Sequence, residues 1–203
     1  MGLIAVLTSS IVLTGSVIAS SPAVKTIELT VNKKAGGMES LNIVMASDIH
    51  LGNIVGTYKL ARLAETVNSL NPDIVLFPGD IFDENLKPVI KNNHGHIMES
   101  INARYGVYAV TGNHEYIGGV NEAAAYLKKH GVKLLRDEAV VIDNSFILAG
   151  REDLSIRRFS DMERKELPVI LDNVKKDLPV ILMDHQPYSI HESVKEGVDL
   201  HLS

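Results

Sequence analysis

The chain has 203 residues, 45% hydrophobic and 22% charged, with 20 Lys and Arg against 25 Asp and Glu for a formal net charge of -5. This is the make-up of one globular domain with a sizeable core, and with no basic run it carries no footprint of a nucleic-acid-binding surface. There is no cysteine, which excludes disulfides, zinc ribbons, thiolate nucleophiles and iron–sulfur ligation, so any metal must be held by Asp, Glu, His or Asn.

From Leu3 to Ser20 the sequence LIAVLTSSIVLTGSVIAS carries no charge. A stretch of that length is at the lower edge of a membrane span, which needs about 20 apolar residues. It lacks the basic start of a secretory signal peptide. We read residues 1–22 as an apolar membrane segment or its remnant, over an atypical signal peptide or a packed soluble helix. Residues 23–203 form the domain. TIELTV (26–31) alternates and is β-branched, and LNIVMAS (41–47) is apolar on both faces, so the two predict strands that can pair as a hairpin. TYKLARLAETVNSLN (57–71) places Leu60, Ala61, Leu63, Ala64, Val67 and Leu70 at helical spacing, with Thr57 able to cap and Pro72 to stop it. DIVLFPGD (73–80) is again a buried strand, so 41–80 reads as a βαβ unit. Helix is expected from about His96 to residue 104, a strand at GVYAVTG (106–112) and a helix from Val120 to His130. Three short extended runs follow within 132–150, as if a sheet turned antiparallel toward an edge. A helix around 162–176, a buried strand at PVILMDH (179–185) and a last strand at GVDLHLS complete the order. Apolar strands separated by helices imply an α/β fold with covered sheet faces, and the number of strands favours two stacked sheets.

Polar residues gather just after these strands. Asp48 and His50 follow the first, Asp80 the second, Asn113, His114 and Glu115 the third, and Asp184 and His185 a later one. In α/β sheets the loops beyond the carboxyl ends of parallel strands make the binding crevice. Asp48 and His50 can reach one ion only if the backbone bends locally. Asp80 follows Gly79, which permits a close backbone approach, and its two carboxylate oxygens suit a bridge between two ions. Asn113 offers a neutral oxygen and His185 a neutral nitrogen. This sulfur-free set fits Mn, Fe, Zn or Co. Two such ions, divalent or of mixed valence and about 3.5–4 Å apart, clamp a phosphoryl group and acidify a bridging water to a hydroxide nucleophile. His114 suits a transition-state stabiliser or a general acid to the leaving alkoxide. Glu115 either orients His114 or opens the next element. His94 and His96 read as an exposed loop, His130 as a helix end, His191 as surface, and His201 as part of the last strand. Arg151 fits a phosphate contact and a surface ion pair equally well.

In their order, DIHLGN (48–53), GDIFDE (79–84), GNHE (112–115) and His185 resemble the calcineurin-like metallophosphoesterase superfamily over about residues 41–203, and the apolar start resembles its membrane-anchored bacterial branch. The resemblance implies a four-layer α/β/β/α sandwich. It implies Asp48 and His50 on a first metal, Asp80 bridging, Asn113 and His185 on a second, and His114 as the catalytic histidine. It implies hydrolysis of a phosphomonoester or phosphodiester, whether a small molecule or a phospholipid headgroup, at a membrane-associated location. In the family a glycine–histidine–x–histidine motif follows a strand like VDLHLS and gives one histidine to each metal. No such motif follows here, so the resemblance implies a fold incomplete at its C-terminus and weak metal binding and turnover by this length of chain. A non-catalytic metal-binding or scaffold module on the same fold is the rival reading.

Overall fold

The computed structural model describes residues 2–19, 22–175 and 177–203. The elements run α1 (Gly2–Ala19), β1 (Ile43–Met45), α2 (Thr57–Ser69), β2 (Ile74–Pro78), α3 (Lys87–Lys91), α4 (His94–Glu99), β3 (Val107–Val110), α5 (Asn113–Gly118), α6 (Val120–Lys129) and β4 (Val132–Leu134). Then come β5 (Glu138–Ile142), β6 (Phe146–Gly150), α7 (Ile156–Phe159), α8 (Leu167–Ile170), β7 (Val180–Met183), α9 (Ile190–Lys195) and β8 (Leu200–Leu202). Two four-stranded sheets form, β1-β2-β3-β4 and β5-β6-β7-β8. The first is parallel throughout. In the second, β5 is antiparallel to β6, and β6, β7 and β8 are parallel.

The apolar strands explain the stacking, because alternate residues of one strand face opposite layers. In β2, Val75 and Phe77 pack against Leu60, Ala64 and Val67 of α2, while Ile74 and Leu76 face the other sheet. In β6, Phe146 and Leu148 meet them from across, and Ile147 and Ala149 pack outward on Leu167, Ile170 and Leu171. Three apolar layers thus separate four structural ones, giving the expected α/β/β/α sandwich. Each of these strands is buried on both faces, which is why the sequence shows continuous apolar runs rather than alternation.

Several local expectations give way. Residues 26–31 are irregular, with Ile27 and Leu29 both 65% exposed. The alternating pattern is there, but no strand among the described residues takes up its hydrogen bonds, so the hairpin with 41–47 does not form. The run at 132–134 joins β3 in the first sheet, and only 138–142 and 146–150 make the antiparallel pair. The helix expected at 162–176, of which residue 176 lies outside the described residues, shrinks to α8, because the preceding segment is tied down by polar contacts. There Lys165 donates its backbone N–H to Asp137 Oδ2 at 2.7 Å, and Arg164 Nη1 donates to Asp184 Oδ1 at 3.0 Å. Thr57 does not cap α2, whose N-cap is Gly56. Its hydroxyl lies 3.2 Å from Nε2 of His94, which is buried within α4 rather than exposed in a loop. The uncharged N-terminal stretch is helical from Gly2 to Ala19. No helix among the described residues is long and apolar enough to cross a membrane.

Candidate metal centre

The carboxyl ends of β1, β2, β3 and β7 converge on one rim. Beyond the strands, the β1 and β2 loops stay paired through their backbones. Asp48 N–H donates to Gly79 O at 3.3 Å, His50 N–H to Asp80 O at 3.0 Å, and Leu51 N–H to Ile81 O at 2.8 Å. The local bend that the Asp48–His50 spacing demands is visible as left-handed backbone at both residues, φ 54 at Asp48 and φ 51 at His50, and again at Asp80 with φ 50. Non-glycine residues rarely adopt such φ values, which cost of order 1–3 kcal/mol each and collect at functional sites. Gly79, at φ 92, supplies the remaining turn, and a Cβ there would come within 2.7 Å of the His185 ring. At Gly112 a Cβ would land on the Asp80 carboxylate, so only glycine allows this approach.

Asp80 is the hub. It is 3% exposed, and its Oδ1 accepts the His114 backbone N–H at 2.9 Å. Three imidazole Nε2 atoms surround its Oδ2, that of His185 at 3.4 Å, of His50 at 3.7 Å and of His114 at 4.0 Å. Asp48 Oδ1 is 3.9 Å from His50 Nε2. Donor atoms of Asp48, Asp80 and His185 lie within 4.8 Å of one another, as do those of His50, Asp83 and His114. These groupings divide the residues differently from the pairing that the resemblance implies, which sets His50 beside Asp48. Asn113 Oδ1 lies 3.5 Å from Gln186 Nε2, beside His185. The structure therefore brings all six predicted residues to one rim.

The donor set fits transition-metal ions. His185 Nδ1–H donates to Pro78 O at 2.8 Å. A carbonyl can only accept, so Nδ1 keeps its hydrogen and a neutral ring points its Nε2 lone pair at Asp80, as a metal-binding histidine requires. In the metal-free protein the Asp80 carboxylate favours a proton in that place. Burial works against charge on the ring, but the Asp80 carboxylate outweighs it and pushes the His185 pKa up to about 9. Burial alone would raise Asp80, and His185 together with the His114 amide outweighs it and holds the carboxyl below its usual value. A raised histidine pKa stabilises the fold fully below about 6.5, the ordinary value, and this contribution is lost as pH rises through about 9. The melting temperature of metal-free protein is therefore expected to fall between these pH values, and Mn2+ affinity to rise across the same interval as the competing proton leaves. Thermal melts and calorimetric Mn2+ titrations check both; a melting temperature that climbs through this window would contradict the assigned pair.

Two further residues build the site. Asp83, three residues after Asp80, sets its Oδ1 at 3.4 Å from His114 Nδ1. Its signal was present in GDIFDE as a second acidic residue in a rim loop. Glu115 neither touches the His114 ring nor faces solvent. It is 1% exposed, and its carboxylate accepts the backbone N–H of Asp80 at 3.0 Å, Phe82 at 2.9 Å and Gly112 at 2.7 Å. Burial pushes its pKa up, against the N–H donors that favour the charged form. One side chain thus ties the β2 and β3 loops together.

The 5'-nucleotidase precursor of Thermus thermophilus superposes with a TM-score of 0.53 over 74% of this chain and 38% of that one, at 16% identity, a likeness of fold. An uncharacterized metallophosphoesterase of Aquifex aeolicus (strain VF5) is 34% identical over 163 residues, 80% of this chain and 61% of its own length. The UDP-2,3-diacylglucosamine pyrophosphatase LpxG of Chlamydia muridarum is 36% identical over 84 residues, 41% of this chain and 25% of its own. The chain thus spans less than two thirds of the length of these relatives. The family model for calcineurin-like phosphoesterases matches residues 41–202, from the strand before Asp48 through β8. That range takes in both sheets and every residue gathered around Asp80, and on this ground the chain belongs to the calcineurin-like phosphoesterase family.

Proposed function

We propose that the protein hydrolyses a phosphomonoester or phosphodiester at a pair of divalent metal ions. The observation that carries this reading is the Asp80 Oδ2 atom, with three histidine Nε2 atoms within 4.0 Å and Asp48 alongside. In it, Asp48, His50, Asp80, Asn113 and His185 would hold the ions. Bound there, the ions supply positive charge to phosphoryl oxygens and acidify water. His114 donates a proton to the leaving oxygen or stabilises charge on the phosphoryl group. Asp83, with Oδ1 3.4 Å from Nδ1, keeps the His114 ring turned. Hydrolysis of an aryl phosphate with added Mn2+, abolished by chelator, tests the reading; no turnover by metal-loaded protein favours the rival non-catalytic module.

Asp83→Asn is expected to lower kcat about tenfold to a hundredfold, the usual range for a supporting contact, with Mn2+ affinity little changed. If Mn2+ affinity falls instead, Asp83 is a ligand grouped with His50 and His114.

The substrate reading extends to lipid-linked phosphoesters. LpxG supports it by name, and so does the uncharged helix α1 with its exposed Leu3, Ile4, Ile11 and Leu13. In this reading residues 1–22 associate the domain with a membrane surface. Co-flotation with phospholipid vesicles, lost when residues 1–22 are deleted, is the expected result.

A further inference from the structure

Three consecutive charged residues, Arg151, Glu152 and Asp153, follow β6 and are buried, at 4%, 3% and 1% exposure. Burying an ion costs several kcal/mol unless it is well paired, so a buried charged triplet outside the ligand set calls for a role. The sequence left Arg151 between a phosphate contact and a surface ion pair. The structure buries it in ion pairs, with Asp184 at 3.3 Å and Glu192 at 3.1 Å.

The triplet joins the two sheets. On one side stands Thr111, which follows β3 and lies two residues before Asn113. Its hydroxyl donates to Glu152 Oε1 at 2.5 Å and accepts the Asp153 backbone N–H at 3.3 Å. Glu152 Oε2 also accepts from Arg136 Nε at 2.6 Å. On the other side, Arg151 donates its backbone N–H to Met183 O at 3.0 Å and its Nη1 to Asp184 Oδ2 at 3.3 Å. Asp184, 0% exposed, immediately precedes His185. A short path of directional contacts therefore runs from the β3 rim through the triplet to the residue next to the one that carries the imidazole.

The division of the site gives this path a purpose. Asp48, His50, Asp80, Asn113 and His114 all follow strands of the first sheet, whereas His185 follows β7 of the second. The layer between the sheets is apolar, and apolar contact has no directional preference. It holds the sheets together with little directional preference, and the direct polar tie at the site is the bond from His185 Nδ1–H to Pro78 O. Hydrogen bonds are directional, and misplacement by about 1 Å degrades a ligand set.

We propose that Arg151, Glu152 and Asp153, gripped by Thr111, are positioning residues that set His185 of the second sheet against Asp80 of the first. This rests on the metal-centre reading above. Thr111→Val removes the hydroxyl at nearly constant volume, and is expected to weaken Mn2+ binding about tenfold to a hundredfold by calorimetric titration. Thr111→Ser restores the hydroxyl and with it the affinity. In a His185→Ala background Thr111→Val makes no further difference, since the group being positioned is gone. An equal loss in both backgrounds, or none in the protein that retains His185, overturns the proposal. If Thr111→Val does not fold, Glu152→Gln, which breaks the charge pair with Arg136, takes its place in the same cycle with the same two readings. A parent protein that binds no Mn2+ sinks the metal-centre reading itself, so the two failures are told apart.

Discussion

Asp80→Asn is expected to abolish metal-dependent hydrolysis and to lower Mn2+ affinity by more than about a hundredfold, beyond the range for residues that only support a ligand. The substitution is close to isosteric, and asparagine tolerates the left-handed backbone that Asp80 adopts at φ 50. Its amide oxygen can still accept the His114 N–H that Asp80 Oδ1 takes at 2.9 Å. What disappears is the charged acceptor facing His185, His50 and His114, where an amide NH2 would offer hydrogens to the His185 and His50 nitrogens that would hold metal. The His185 pKa, raised to about 9 by Asp80, is expected to drop back as well, and this can be followed by NMR titration of the ring in metal-free protein. Undiminished Mn2+ affinity in Asp80→Asn would remove Asp80 from the centre.

His114→Ala is expected to lower kcat by about 10²–10⁴, the usual contribution of a positioned acid or base, and to leave Mn2+ affinity nearly intact. His114 Nε2 lies 4.0 Å from Asp80 Oδ2, the longest of the three imidazole approaches, and its side chain is 25% exposed, so it can meet substrate. Its ring sits edge-on to His50 with centroids 4.5 Å apart, and loss of that contact is expected to shift ligand geometry only slightly. The loss should depend on the leaving group. An alkyl phosphoester needs a proton on its departing oxygen more than a nitrophenyl ester does, so a general acid predicts a larger defect with the alkyl ester. Equal defects would assign His114 to charge stabilisation alone. An unaltered kcat would place the chemistry elsewhere.

The βαβ unit and the buried strands were legible because each strand is apolar on both faces and each helix repeats at its own period. DIHLGN, GDIFDE and GNHE announced themselves as polar clusters at strand ends, and their convergence followed from the parallel order. What stayed hidden depends on partners remote in sequence. TIELTV alternates like a strand but has no pairing strand among the described residues. Residues 132–150 gave three runs without saying that the first belongs to another sheet. Arg151 reads equally as a phosphate contact and a surface ion pair until Asp184, 33 residues away, turns up beside it. Glu115 could be placed next to His114 from the sequence, yet its work is done with the backbones of Asp80, Phe82 and Gly112.

The left-handed backbone at Asp48, His50 and Asp80 bears on how this loop pair can change. Aspartate and histidine enter that region more readily than most side chains do, but glycine sits there freely. Glycine at position 50 would ease the local backbone while deleting an imidazole from the rim. Stability and activity therefore pull in opposite directions at this one position. A search for more heat-resistant variants would drift toward a well-folded protein with a vacant corner in its candidate metal centre.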